Sequence, residues 1–458
     1  MFVETFIRRL RSHGYLYDIA RKLYGFILRV SYKRAARTSF LRFMKTRMRE
    51  IGGITSKDGG ESVLMIVLDC FRYRNTILAG YARETTPFLE SFKVKCKAIS
   101  AAPWTPPSVA SMLSGLYPNG HGVDIPAEVK CVEETPPKNM RRDVVTLPEI
   151  LLYLGYDLYF GIGVEFAECF MRGRVFPHTY YFCWEDARGE YLLRDFRNWL
   201  GKRAERPFFA YLHLTDLHEP LSIPPEEFRH FFGRVDRVRM IAKGFAFRKP
   251  ESQKGKAFEH YKKNRILLYD NVLRYLDHLI EDLVSFLEKM GLLDSTLIVV
   301  TGDHGEEFWE HAELESKYFY DPRGWCGVGH GHNVFNEIIE VPLYMEGAPL
   351  KGKKAKDTVS TVDLMPTLLD LLNVEVELTY DGKNIFESEG RRVFLSEATS
   401  YGYEKKALIA GRYKFLWSGG DGVRWVFDLR RDPLEPVSYT HLRAHETEAD
   451  LVCRLLLE

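Results

Sequence analysis

Five runs of β-branched and apolar residues, 63–68, 158–162, 208–214, 296–300 and 341–345, constrain this chain more than any other feature. Each is nearly continuous in apolar residues, the pattern of a strand covered on both faces rather than one with a face in water. Helical stretches separate them. Leu268, Val272, Tyr275, Leu276, Leu279, Leu283, Phe286 and Leu287 recur every three or four positions, which predicts a core helix ending near Met290-Gly291, directly before the run at 296. Alternation of this kind predicts an α/β layer fold around a mostly parallel sheet, with chemistry gathered at the carboxyl ends of the strands. After about Tyr380 the strand candidates shorten to 392–395, 407–410, 413–417 and 424–428, which predicts a smaller antiparallel subdomain. Residues 235–257 are basic and poorly patterned, and an exposed insertion is expected there.

The two ends differ from this body. Residues 1–50 hold 13 Lys and Arg against 3 Asp and Glu, although the whole chain of 458 residues balances 64 basic against 63 acidic side chains. In this arm Phe6, Leu10, Tyr17, Ile19, Leu23, Phe26, Ile27 and Val30 recur at helical spacing among arginines and lysines. Such an amphipathic helix either packs on the body or lies in a membrane interface. It lacks the apolar stretch and small-residue cleavage site of a secretory signal, and no run of eighteen apolar residues exists to span a bilayer. Seven scattered cysteines without a CxxC pair fit a reducing compartment. A cytoplasmic location is therefore expected, with peripheral membrane contact through residues 1–50 as the alternative to packing. Residues 437–458, VSYTHLRAHETEADLVCRLLLE, read as translated sequencing-adapter read-through and are set aside. The expected division is an arm and linker at 1–60, a catalytic domain at 61–379, a C-terminal antiparallel subdomain at 380–436, and the tail.

Chemistry collects at two strand ends. The first run closes in Asp69-Cys70-Phe71-Arg72 and the fourth in Gly302-Asp303-His304-Gly305-Glu306-Glu307. An acid at a strand end also serves as a helix N-cap, but Asp69, Asp303 and His304 together make a mixed oxygen and nitrogen set suited to a divalent ion. Of the twelve histidines outside the tail, six are His213, His218, His304, His311, His330 and His332, in two short windows. His218 follows an apolar strand and His330 sits in a glycine-rich loop, places where side chains face clefts. Thr105, followed by Pro106, is an N-cap candidate for a helix through Gly115. A hydroxyl at a helix N-terminus stands in a positive field suited to a tetrahedral anion, and a cation beside it favours the alkoxide.

In joint order, these motifs resemble the sulfatase family of the alkaline phosphatase superfamily across almost all of residues 62–436. The resemblance is carried by Asp69-Cys70-Phe71-Arg72, Thr85-Thr86-Pro87-Phe88-Leu89, the Trp104 to Gly115 segment with Leu116-Tyr117-Pro118 and His121-Gly122-Val123, Asp216-Leu217-His218-Glu219-Pro220, and Tyr269-Asp270. Gly302 to Glu306, Gly329-His330-Gly331, Val341-Pro342-Leu343, Asp363-Leu364-Met365-Pro366-Thr367, and Phe427-Asp428-Leu429 with Asp432-Pro433 complete it. It implies an alkaline-phosphatase-like three-layer α/β sandwich. It also implies Asp69, Asp303 and His304 as metal ligands, Thr105 as nucleophile and further ligand, and His218 and His330 at the transferred group, helping the leaving oxygen depart. Arg72 and His332 are expected at the substrate.

Three departures from the family pattern bear on function. Formylglycine-dependent members carry Cys or Ser within C/S-x-P-S/A-R, whereas this chain has Thr105-Pro106-Pro107-Ser108-Val109, and threonine cannot become that aldehyde. Cys70 replaces the second acid of an Asp-Asp pair. His304 stands where calcium-dependent relatives have Asn, and imidazole favours manganese or zinc over calcium. The expected activity is metal-dependent cleavage of a sulfate, phosphate or phosphonate ester through Thr105, with one divalent ion. Substrates are small-molecule, glycan or lipid esters, and no nucleic-acid partner is expected. Two alternatives are a membrane-peripheral phospho-head-group transferase and a non-catalytic binding relative, the latter motivated by Cys70 and Val109.

Overall fold

The computed structural model describes residues 54–56, 60–164, 179–183, 188–202, 206–387 and 393–435. The basic arm and the 437–458 tail lie outside them. Eight strands form the central sheet: β1 (Ser62–Leu68), β2 (Val94–Ile99), β3 (Asp157–Ile162), β4 (Thr179–Cys183), β5 (Phe208–Leu214), β6 (Thr296–Gly302), β7 (Glu340–Glu346) and β8 (Thr358–Ser360). Their spatial order is β8-β2-β7-β6-β1-β5-β3-β4. Every strand runs parallel to β1 except β7, which pairs antiparallel with both β2 and β6.

The continuous apolar runs have the expected cause. In β1, Val63, Met65 and Val67 enter one core while Leu64, Ile66 and Leu68 enter a second on the opposite face. Each side chain so buried contributes on the order of 1.5–3 kcal/mol, which fixes the register, because a one-residue slip would exchange the two sets. The first core is closed by helices α1 (Thr105–Ser114), α2 (Leu147–Tyr153) and α5 (Leu364–Leu371); the second by α3 (Gly189–Leu200) and α4 (Gly255–Lys289). The helix predicted from the spacing at 268–287 is α4, longer at its start and ended at Met290 before Gly291 in the left-handed region (φ 68°). Among the described residues no helix is long and apolar enough to cross a membrane.

The four short strands predicted after Tyr380 form an antiparallel sheet, β9 (Val393–Ser396), β10 (Lys406–Ala410), β11 (Tyr413–Ser418) and β12 (Val423–Asp428). A third core, with Trp425 and Phe427 against Phe335 and Ile339, fastens it to the loop beyond His332. Residues 235–257 are largely exposed, as expected, but anchored: Val235, Ile241, Ala242 and Phe245 are buried, and α4 grips the backbone through Asn264 Oδ1 to Asp236 N (2.7 Å) and Arg265 Nη1 to Ile241 O (2.7 Å). Polar anchors of this kind leave no periodic apolar signal in the gripped segment.

Candidate active site

β1 and β6 are neighbours, paired Leu68 to Gly302, so the residues just past their ends meet. Asp69, Asp303 and His304 are fully buried, and one ligand atom from each lies within 4.8 Å of the others. His304 Nε2 stands 3.4 Å from Asp69 Oδ1 and 3.4 Å from Asp303 Oδ2. His304 Nδ1 donates to Gly305 O (2.8 Å), which leaves the lone pair on Nε2 facing the carboxylates. That carbonyl is held close by geometry at Gly305, where a Cβ would come within 2.0 Å of Glu337 O.

Thr105 joins this cluster. Its Oγ1 lies 3.2 Å from His304 Nε2. Thr105 is the first residue of α1 rather than its cap: Trp104 takes the cap position with extended backbone, and no side chain caps the helix. The hydroxyl is thus free of the capping role the sequence offered it, and it points at the acids. Ser100 and Ser108 both donate to Asp303 O, tying α1 to the end of β6. Val109, where the formylglycine pattern has arginine, is buried in the core beneath.

His218 and His330 complete the site, with ring centroids 5.1 Å apart and His330 4.3 Å from His304. His218 Nδ1 donates to Glu219 O (2.6 Å), so Nε2 is the nitrogen left for other work. Gly331 carries φ 78°, and a Cβ there would meet Ser400 Oγ at 2.0 Å; the C-terminal subdomain closes on the site through Ser400 N to Gly331 O (2.7 Å) and Trp104 Nε1 to Ala398 O (2.6 Å).

The electrostatics separate these groups. Burial pushes Asp69 up, but His218, His213 and His304 outweigh it and hold the carboxyl well below its usual range. Asp303 is raised, by burial and then by the charge of Asp69. Burial pulls His218 down, yet Asp69 and Glu306 more than reverse it, so its pKa is raised. His330 is lowered to about 3, by burial and then by His218. One imidazole is therefore set to carry a proton and its neighbour to remain neutral.

Two expected site residues are elsewhere. Arg72 is buried, ion-paired to Glu310 and stacked 4.5 Å from the Phe308 ring centroid. His332 pairs with Glu307 (3.2 Å) and Glu315 (3.1 Å). Neither lines the cavity above Thr105. Cys70, at φ 61°, turns the chain after Asp69 and sends Arg72 away from the cleft. Conversely, the sequence assigned no role to His213, which reaches 3.3 Å from Asp69 Oδ2 and 3.8 Å from Asp303 Oδ2, or to Glu306, 3.0 Å from His330 Nδ1. The available signal for His213 was one histidine inside a seven-residue strand that is otherwise apolar or aromatic.

The donor set fits a divalent ion. Asp303 Oδ2 is buried with no hydrogen-bond partner, the condition of an oxygen reserved for a cation. Separations of 3.2–3.4 Å among the ligand atoms match the edges of a coordination shell with ligands at about 2.0–2.2 Å. Over the cluster opens a cavity of about 1280 Å³ that Thr105, His218 and His330 line.

The sulfatase family model matches residues 61–374, well over half of the chain. This chain belongs to the sulfatase family. Its curated relatives include an arylsulfatase of Clostridium perfringens, 24% identical over 272 residues. That match covers 55% of this chain and 53% of the arylsulfatase, so the chain spans about half of that relative's length. The low-salt glycan biosynthesis sulfotransferase Agl7 of Haloferax volcanii is 25% identical over 399 residues, 85% of this chain and 80% of that protein. The phosphonate monoester hydrolase of Agrobacterium radiobacter superposes with a TM-score of 0.62 at 16% identity, covering 86% of this chain and 93% of that one. That likeness shows the alkaline-phosphatase-like fold. Two chemistries are thus named among the relatives, ester hydrolysis in the arylsulfatase and group transfer in Agl7.

Proposed function

We propose that this protein is a metal-dependent sulfatase-family ester hydrolase in which Thr105 is the nucleophile. The observation that carries the proposal is the Thr105 hydroxyl at the start of α1, 3.2 Å from His304 Nε2 and in the same buried cluster as Asp69 and Asp303. Asp69, Asp303, His304 and Thr105 would hold one divalent ion, with Mn or Zn favoured over Ca by the imidazole. Such an ion supplies Lewis acidity toward the ester oxygens and lowers the pKa of the threonine hydroxyl.

The remaining work falls to the chain. The amino end of α1 would face the tetrahedral group with the positive end of its helix dipole, although Pro106 and Pro107 offer no N–H and Ser108 N is bonded to Trp104 O. His218, whose Nδ1 donates to Glu219 O, would present Nε2 to the leaving oxygen as its proton donor. His330, kept neutral, orients the group beside it. A threonine ester cannot collapse to an aldehyde, so a second attack by water on the central atom must release it, which suits phosphate and phosphonate esters as well as sulfate. Thr105→Ala is expected to lower turnover of an aryl ester on the order of a thousandfold with the fold intact. Activity equal to wild type would refute the nucleophile.

The likeness to a sulfotransferase over most of the chain supports a second reading, in which an acceptor hydroxyl replaces water. It would show as product carrying the transferred group when a glycan or lipid alcohol is supplied. The basic arm would then be the anchor. Partition onto anionic vesicles that is lost on deleting residues 1–50 supports that version, and zero partition with and without them removes it. We propose the same division of the chain as its sequence implies, with the catalytic domain at 61–379 and the subdomain at 380–436.

A further inference from the structure

The cavity that Thr105, His218 and His330 line is also walled by residues from 229–240, which bring Arg229, Arg234, Arg237 and Arg239 to the same space. With Arg188, five arginines face three carboxylates, Glu133, Glu219 and Asp236. All three carboxylates are engaged. Glu219 accepts from Arg248 (2.8 Å), Asp236 lies 3.3 Å from His260 Nε2, and Glu133 accepts from the Tyr401 hydroxyl (2.8 Å). Arg229 is occupied by Glu226 (2.6 Å), Arg188 by Glu190 (3.6 Å) and Arg234 by Asp236 (3.7 Å). The exposed guanidinium groups of Arg237 and Arg239 make no hydrogen bond or ion pair among the described residues.

This wall is held in place. α4 reaches it with three buried polar side chains: Asn271 Oδ1 accepts from Phe232 N (3.0 Å), Asn264 Oδ1 from Asp236 N (2.7 Å), and Arg265 donates to Ile241 O (2.7 Å). Arg237 sits in the left-handed region at φ 50°, where glycine or asparagine is the easier choice, so a side chain is kept there against backbone preference. Unpaired guanidinium groups carried on an anchored backbone beside a cleft are suited to planar or tetrahedral anions.

We propose that this wall recognises a second anionic group of the substrate: the ester is borne by a small molecule or oligosaccharide that carries another sulfate, phosphate or carboxylate. The inference rests on the Thr105 reading for the reaction but is testable without it.

Two arms test it on the full chain. First, sucrose octasulfate and sucrose are titrated by calorimetry into wild type, an Arg237→Glu/Arg239→Glu variant, and a control with charge reversal at exposed Lys351 and Lys354. The octasulfate is expected to bind wild type, about tenfold or more weaker after the arginine reversal and within about twofold of wild type in the control. No binding to wild type, equal binding of sucrose, or equal weakening in the control overturns the proposal. Thermal melts confirm that both variants fold. Second, two aryl esters differing only in a carboxylate at the far end of the leaving group are compared. The ratio of their kcat/KM values, charged over neutral, is expected to fall about tenfold or more in the arginine variant through KM; a ratio that does not move overturns the proposal. Octasulfate binding with neither ester cleaved by wild type would count against Thr105 chemistry and leave the wall standing. Arginine-dependent partition onto phosphatidylglycerol vesicles without octasulfate binding would make the wall a lipid contact and overturn it.

Discussion

Burying an imidazole in a seven-residue strand core is costly unless both ring nitrogens are engaged. His213 meets that condition. Tyr211 Oη lies 2.8 Å from Nδ1, and with that hydroxyl donating, Nε2 carries its proton toward Asp69 Oδ2 at 3.3 Å. The ring therefore fixes from behind the direction of the Asp69 carboxylate, one of the proposed metal ligands. His213→Ala should weaken divalent-ion affinity about 10–100-fold, as loss of a supporting hydrogen bond to a ligand does. Metal titration with an indicator reads this directly; an unchanged affinity would leave His213 a packing residue only. That Asp69, Asp303 and His304 lie together was legible in the sequence, because residues just past parallel apolar strands gather at one end of the sheet. Arg72 and His332 were misplaced because side-chain direction depends on the turn at Cys70 and on acids, Glu310, Glu307 and Glu315, whose proximity no spacing displays.

Strands β1, β3, β5, β6 and β7 and helix α4 were readable from the sequence, since each is governed by its own apolar pattern. β2 was not: Val94, Cys96 and Ala98 are buried between Lys95 and Lys97, an alternation weaker than the continuous runs. The segment after β6 was also unreadable as structure, for it is held by ion pairs. His332 is pulled down by burial but raised to about 10 by Glu315 and Glu307, while Glu315, pushed up by burial, is held down to about 2 by His332. A raised histidine stabilises fully below its unfolded value near ~6.5, and the contribution is lost as pH rises through about 10. A depressed glutamate contributes above its unfolded value near ~4.3, and that is lost as pH falls through about 2. The melting midpoint of wild type should therefore exceed that of His332→Gln most between about pH 4.3 and 6.5, with the gap narrowing toward pH 10. Melts at stepped pH check this; a gap that stays constant would mean that His332 acts by shape alone.

At the scale of the molecule, the site is a junction. β1 and β6 contribute the acids, α1 the hydroxyl, the loop beyond β5 His218, and the C-terminal subdomain braces Trp104 and Gly331 from the far side. Elements so distant in sequence converge only in the folded chain, so an ion they share binds the native state and not the unfolded one. Binding of that kind stabilises by RT ln(1 + [L]/Kd), about 2.7 kcal/mol at a hundredfold excess over Kd. Stripping divalent ions with a chelator should lower the melting midpoint by several degrees, and excess Mn or Zn should restore it. Asp69 and Asp303 lie close together in a buried space, where the charge of Asp69 raises Asp303. Asp303→Asn removes both the repulsion and a ligand. That variant should melt at nearly the same temperature with and without chelator, and above stripped wild type. Equal sensitivity to chelator in wild type and Asp303→Asn would place the stabilising ion somewhere other than this junction, and with it the chemistry assigned to Thr105.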